Sequence, residues 1–328
     1  MTFPASLSHR ALADPLVPAS TIELSRMENS WLNELFNSFL RTVVPTPQVY
    51  ANCRLQAEDV VHTLRHALYP NRLSGTMNGD SLVVGGVGKR TALAPVECVD
   101  VLYLLPSKLR ISRTADALKV VHAGLSDQYE ADVIDAADLG VTVSTSDRNV
   151  RIIPALEHGT GFKIPGPTTL DRASGWRITN PVAEAATLRL SDSLNTGGTR
   201  RLLTLLKSWR NNTNTPIDSL TLEVLVQEFF ATQRRNGTLP EAFKAFMAWA
   251  RSKPTGRITA PGAITTLEID DSWHGSAKAA YWRITLAEQT ADTDKLKTAL
   301  EWRHLLGLNF PVPEEETGVT PPILDACA

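Results

Sequence analysis

The chain has 328 residues, 43% of them hydrophobic and 21% charged, an ordinary balance for a globular protein with one large or two modest cores. A net charge of −2 supplies no global basic field, so bulk nucleic-acid binding is not expected and any phosphate contact must come from local clusters. Cys53, Cys98 and Cys327 are too scattered for a zinc site or a disulfide framework. No apolar run reaches membrane-span length, and the first twenty residues lack the pattern of a signal peptide. A cytoplasmic protein without membrane contact is the expectation.

Residues 1–20 are Pro- and Ser-rich and aperiodic, which reads as a loose arm. From Thr21 the spacing of Leu24, Met27, Trp31, Leu35 and Leu40 predicts a helix, with Ser20 or Thr21 as its cap, ended by Pro45 and Pro47. A second helix is predicted over about 48–68, with Leu55, Val60, Val61, Leu64 and Leu68 on its apolar side. Strands follow over 81–84 and 96–105, then a helix over 114–130. A hairpin is expected from 141–145 and 150–154 around the turn-rich Ser146-Asp147-Arg148-Asn149. Residues 158–181 read as irregular. Beyond Pro181 helical periodicity dominates: about 182–193, 198–211, 218–235, 239–252, 275–289 and 292–306. The last residues are Pro- and Glu-rich. The outline is an α/β half followed by an all-α half.

The stretch Leu82–Pro106 organises this outline. It reads strand, glycine turn (Gly85-Gly86-Val87-Gly88-Lys89-Arg90-Thr91), then the apolar strand Cys98-Val99-Asp100-Val101-Leu102. Glycine-rich backbone can cradle a phosphate with its N–H groups, or can simply make a tight turn. Lys89 and Arg90 tilt the turn toward phosphate. It is not a Walker A motif, because the spacing is wrong and Arg90 intervenes. A lone acid inside a buried strand is costly unless a cation or a metal meets it, so Asp100 needs a partner. His62 and His66 have an i, i+4 metal spacing, but no third ligand accompanies them, and an exposed helix face explains them.

The segments GGVGKRTAL, ECVDVLYLLP, VRIIPALE, GFKIPGP, GWRITNP, LLTLLKSWR, DSLTLEVLV and EWRHLLGLNFP occur in this order. As an ordered set they resemble the bacterial CD-NTases, the cGAS/DncV-like and oligoadenylate-synthetase-like nucleotidyltransferases that make cyclic oligonucleotide signals in antiphage defence. The resemblance covers roughly residues 45–312. It implies an α+β fold: a polymerase-β-like nucleotidyltransferase palm, a mixed sheet with flanking helices, packed on a C-terminal helical domain. The implied domains are an arm (1–20), the palm with its N-terminal helices (21–181), the helical domain (182–312) and a flexible tail (313–328). Some members of the family are conjugated through such a tail, and this chain ends Cys327-Ala328; an ordinary frayed terminus is the favoured reading.

The family pattern implies three carboxylates holding two Mg²⁺ ions about 3.5–4 Å apart. Asp100 matches one of the three. Cys98 and Arg151 stand where the other two would be, and Gly86 stands in place of the family serine. Arg151 would repel Mg²⁺ and pair with Asp100, or meet a phosphate directly. The resemblance points to Gly85, Gly86, Lys89, Arg90, Thr91, Arg151, Lys207 and Ser219 as nucleotide-binding, and to Asp100 as the one retained catalytic or metal-ligating acid. Lys207 either reaches a triphosphate or snorkels to solvent; Cys98 is read as core packing.

Three functions follow. The chain is a degenerate family member that binds a nucleotide or oligonucleotide in the interdomain cleft, as sensor or regulatory partner of a defence-system protein. Alternatively it is an active enzyme using Mg²⁺ or Mn²⁺ at a rearranged site, with Glu97, Asp147 or Glu157 joining Asp100. Or it is an interaction protein with a closed cleft and no ligand.

Overall fold

The structure is a computed structural model that describes residues 30–69, 80–130, 134–137, 139–166, 175–232, 237–259 and 266–313. The arm, the Ser20 or Thr21 cap and the tail lie outside the described residues. Helix α1 (Ser30–Val43) is followed directly by α2 (Pro47–Leu68). Thr46 opens α2: its hydroxyl accepts from the Val49 amide at 3.3 Å, and Pro47 takes a first-turn position where a missing N–H costs nothing. Near its other end Arg65 grips Asp80 with Nε and Nη2, both at 2.9 Å, fixing the helix to the start of the sheet.

The sheet has seven strands: β1 (Ser81–Val83), β2 (Cys98–Leu104), β3 (Ile134–Ala137), β4 (Gly140–Ser144), β5 (Asn149–His158), β6 (Gly161–Pro165) and β7 (Trp176–Thr179). The order is β1-β2-β5-β4-β3, with β6 paired to β5 and β7 to β6. Among the described strands only β2 and β5 run parallel, so the sheet is mixed. Parallel neighbours need a long crossover, and here it carries α4 (Thr114–Ser126). A short helix, α3 (Gly85–Lys89), lies between β1 and β2.

Strand alternation gives the sheet two different faces. Val99, Val101 and Tyr103 of β2, with Val150 and Ile152 of β5, bury into a core against α2 and α4. Cys98, Asp100, Arg151 and Ile153 face the other side, toward the helical half. That half comprises α5 (Pro181–Leu194), α6 (Gly198–Thr213), α7 (Ser219–Thr232), α8 (Leu239–Ala250), the hairpin β8 (Gly256–Thr259) and β9 (Thr266–Ile269), α9 (His274–Thr290) and α10 (Lys295–Leu306). Its core is rich in aromatics; Phe36 meets Trp302 edge-on at 4.7 Å between ring centroids.

Four expectations are corrected. Helix α1 packs in the helical core through Leu32, Phe36, Phe39, Leu40 and Val43, not in the palm where its place in the chain put it. Its stripe is equally apolar for either core, and adjacency in sequence does not choose between them. The stretch 158–181, read as irregular, contains β6 and β7; their few residues are too short to show a period. The β8–β9 hairpin was likewise not expected. Leu55 is 65% exposed, and the buried face of α2 runs instead through Cys53, Ala57, Val60, Val61 and Leu64.

Candidate functional site

A cleft of about 570 Å³ lies between the open face of the sheet and helices α6 and α7. Alternate residues line it from each strand: Cys98, Asp100 and Leu102 of β2, Arg151 and Ile153 of β5, Arg177 and Thr179 of β7. Lys207, Arg210 and Asn211 reach it from α6, and Ser219, Leu220 and Glu223 from α7.

The glycine turn forms one wall. Gly85 has φ +61°, and a Cβ there would lie 2.6 Å from Asp100 Oδ2, so this backbone can approach the carboxylate only as glycine. Gly88 is as tightly placed: a Cβ would lie 2.2 Å from the Val83 carbonyl oxygen. The turn folds as the single helical turn α3 and closes with Arg90 in the left-handed region at φ 56°. The Gly86 carbonyl accepts from the amides of Thr91 and Ala92 at 2.7 and 3.0 Å.

Behind this wall sits a sealed charge network. Lys89 Nζ donates to Glu184 Oε2 and Glu223 Oε2, each at 2.8 Å. Lys207 Nζ donates to Glu223 Oε1 at 3.1 Å, to Thr91 Oγ1 at 2.9 Å and to the Thr91 carbonyl at 3.1 Å. Thr91 Oγ1 donates to Glu223 Oε1 at 3.2 Å, and Thr179 Oγ1 to Glu184 Oε1 at 2.7 Å. All six side chains are buried. Burial pushes the Glu223 carboxyl up, but Lys207 and Lys89 outweigh it and hold the group below the ordinary carboxylate value. Burial works against the Lys89 ammonium too, and there Glu223 and Glu184 win and raise it. For Lys207 burial prevails over Glu223 and lowers the ammonium.

At the other end of the cleft Arg151 clasps Asp100. Nε and Nη2 donate to Asp100 Oδ1 at 2.7 and 2.5 Å. The two residues are direct partners across the parallel β2–β5 ladder, so the sheet register itself sets the pair. It is more open than the lysine network: the side chains are 34% and 23% exposed. Cys98, two residues from Asp100, lines the cleft rather than the core, and burial raises its thiol.

The donor set does not fit a pair of divalent cations. Of the four carboxylates lining the cleft, Glu184 and Glu223 are bonded to lysines and Asp100 to Arg151; Glu97 is exposed and precedes the strand. Among the described residues no group of three His, Cys, Asp or Glu side chains could hold a metal ion. Asp147 accepts from Gln56 Nε2 at 2.9 Å, Glu157 is exposed on β5, and neither lines the cleft. His62 and His66 touch each other at 3.1 Å on an exposed face of α2.

The cleft thus gathers Gly85, Gly86, Lys89, Thr91, Asp100, Arg151, Lys207 and Ser219. Arg90 is exposed and is not among its lining residues. Lys207 follows neither expected course: 5% exposed, it neither snorkels to solvent nor projects free into the cleft, because Glu223 and Thr91 hold it. Ser219 Oγ accepts from Arg210 Nη1 at 2.7 Å. The sequence reading missed Glu184 and Glu223, which occupy the lysines, and Arg177 and Arg210. Two signals could have found them. Glu223 lies one turn beyond Ser219 on α7, on the same face. Arg177 follows the buried Trp176, so a strand there turns it to the cleft.

Residues 31–191, just under half of the chain, match the family profile described as the Second Messenger Oligonucleotide or Dinucleotide Synthetase domain. No curated protein matches the chain in sequence. Among solved structures it is similar to Escherichia coli MS115-1 CdnC with ATP, at 16% identity and TM-score 0.66, over 85% of this chain and 98% of that one. The CdnC:HORMA-deltaN complex from the same organism gives TM-score 0.65 at 16% identity, with the same coverage of 85% and 98%. Bradyrhizobium diazoefficiens CdnG in complex with GTP gives TM-score 0.62 at 14% identity, over 83% and 94%. At these identities the likeness establishes the fold. Among the described residues no helix is long and apolar enough to cross a membrane.

Proposed function

We propose, from the premise that this chain is a CD-NTase-like nucleotidyltransferase by family and by fold, that it binds a nucleotide or oligonucleotide without joining nucleotides, and acts as a sensor or regulatory partner in a bacterial antiphage defence system. One observation carries the reading: Asp100, the acid that matches the family's metal-facing strand, is held by two nitrogens of Arg151 at 2.7 and 2.5 Å. A guanidinium in that place repels divalent cations. Phosphoryl transfer relies on positioning and charge stabilisation, so a chain lacking the metal carboxylates has lost most of the means of catalysis. The open cleft and its cationic wall favour a retained nucleotide over a closed, ligand-free module. A protein partner is in keeping with Escherichia coli CdnC, which was solved as a CdnC:HORMA-deltaN complex. The cytoplasm is the compartment this role implies.

The test is product formation. The full chain, incubated with all four NTPs, Mg²⁺ or Mn²⁺ and a panel of activators, is expected to give no oligonucleotide above background. Robust product that disappears in Asp100→Ala would overturn the proposal and establish an active enzyme with a rearranged metal site.

A further inference from the structure

Among the described residues five cations line the cleft, and they are not equivalent. Lys89 and Lys207 are each bonded to buried glutamates, and Arg151 is bonded to Asp100. Arg177 and Arg210 have no carboxylate bonded to them among the described residues. Arg177 reaches the cleft from β7, and its Nε is buried with no hydrogen-bond partner. Arg210 reaches it from α6 and is steadied by Ser219 Oγ at 2.7 Å and Asn211 Oδ1 at 2.7 and 3.0 Å, neutral acceptors that leave its charge uncompensated. Glu184 acts on Arg177 through its charge and Asp218 acts on both arginines, but Glu184 is bonded to Lys89 and Thr179, and the Asp218 oxygens already accept from Leu220 N, Thr221 N and Thr221 Oγ1 at the start of α7. Burial lowers both guanidinium groups, outweighing the attraction of those acids.

A buried guanidinium nitrogen with an idle N–H, such as the Nε of Arg177, is costly, and an anion relieves that cost. Arg151 also has spare capacity. A guanidinium carries five N–H donors, and Asp100 engages only two of its nitrogens. The planar fork of arginine matches phosphate oxygens in a way that an ammonium does not. The free positive charge of the cleft is therefore guanidinium charge, set on β5, β7 and α6 around one volume.

Building on the nucleotide reading of the cleft, we infer that Arg177, Arg210 and Arg151 bind the triphosphate of a nucleoside triphosphate directly, with no divalent cation between protein and phosphate. The lysines of the turn and of α6 are internal counter-ions of the domain interface and not phosphate ligands. Asp100 tempers Arg151 and sets how strongly that arginine contributes.

Isothermal titration of the full chain tests this with ATP, GTP, CTP and UTP, first in EDTA and then in excess Mg²⁺. At least one triphosphate is expected to bind in EDTA, and added Mg²⁺ to weaken it, because the cation competes with the arginines for the same oxygens. Arg177→Gln and Arg210→Gln are each expected to weaken binding about tenfold or more, the loss of a charge-assisted contact. Asp100→Asn is expected to tighten binding in EDTA several-fold by releasing Arg151. Circular dichroism establishes that each variant is folded; Arg210, less deeply set than the Nε of Arg177, keeps the test available should Arg177→Gln not fold. Inorganic tripolyphosphate is expected to bind more weakly than the best nucleotide, and equal affinity would overturn the nucleotide assignment. Binding that requires Mg²⁺ and is lost in Asp100→Asn would overturn the arginine mechanism and leave the cleft a nucleotide site. No binding of any triphosphate in either condition would overturn this inference and, with it, the mononucleotide form of the proposed function, leaving an oligonucleotide as the ligand that reading requires.

Discussion

The cleft holds two sets of ion pairs that contrast at nearly every point. At one end Glu184, Lys89, Glu223 and Lys207 form a chain of alternating charges, none more than 8% exposed, joining α3 of the palm to α5, α6 and α7. At the other end Asp100 and Arg151 form a single pair across two strands of one sheet, a quarter to a third exposed. Sealed charges satisfy one another because water cannot, and ligands compete poorly for them. Open charges exchange partners with solvent at small cost, and so can exchange them with a ligand. Bonding to a buried carboxylate, more than residue type, separates the cations that hold this molecule together from those available to bind. The family lysine position falls on the structural side of that line and the arginines on the other.

The sharpest way to break this contrast is Glu223→Ala. It strips both buried lysines of their shared acceptor and leaves Lys207 with Thr91 alone. Removing one partner of a buried pair costs about 3–5 kcal/mol, and urea unfolding is expected to register a loss of that order. The pH dependence has a definite sign. Glu223 is held below its ordinary value in the folded state, so its contribution is complete above the unfolded carboxylate pKa and is lost as pH falls through the depressed folded value. Glu223→Gln is therefore expected to be weaker than the parent at pH 7 and to lose less stability than the parent on acidification. A parent and variant with parallel acid limbs would mean that the Glu223 carboxyl titrates alike in the folded and unfolded chain, and that the lysines do not hold it down.

A middle-sized effect is expected at Gly85, which connects the turn to the open pair. Alanine there meets a left-handed φ of +61° and a contact of 2.6 Å with Asp100 Oδ2. The backbone term alone is about 1–2 kcal/mol. The contact adds a second consequence, displacement of the Asp100 carboxylate from Arg151. Gly85→Ala is expected to lower the urea midpoint and also to change nucleotide affinity. A stability loss with unchanged affinity would separate the turn from the ligand.

Much of this was legible in the sequence, and the failures have physical causes. The long helices, the β2 strand and the need of Asp100 for a partner were readable, because burial on one face imposes a period and a lone buried acid demands a partner; the resemblance pointed to Arg151 as that partner. The strands β6 and β7 were not, since each is shorter than the window in which alternation can be counted. Assigning α1 to a core failed because amphipathicity says that a helix packs and not against what. The fate of Lys89 and Lys207 was hidden for a different reason: Glu223 lies 134 residues from Lys89 in the chain, and only the fold brings them to 2.8 Å. A motif lysine read alone looks free until the acid that claims it is found.

The smallest stability effect is expected at the open pair, and it tests the contrast most directly. Asp100→Asn leaves Arg151 without its carboxylate, yet the guanidinium is 34% exposed and water can take over its donors. Screened pairs of this kind contribute about 0–1 kcal/mol, several-fold less than the loss expected at Glu223. Urea unfolding of Asp100→Asn should therefore fall within about 1 kcal/mol of the parent. A loss as large as that of Glu223→Ala would mean that the pair is sealed in solution, and that Arg151 is as unavailable to a phosphate as Lys207. A small loss together with altered triphosphate affinity places Asp100 where the geometry puts it, as a setting on the binding charge and not a pillar of the fold.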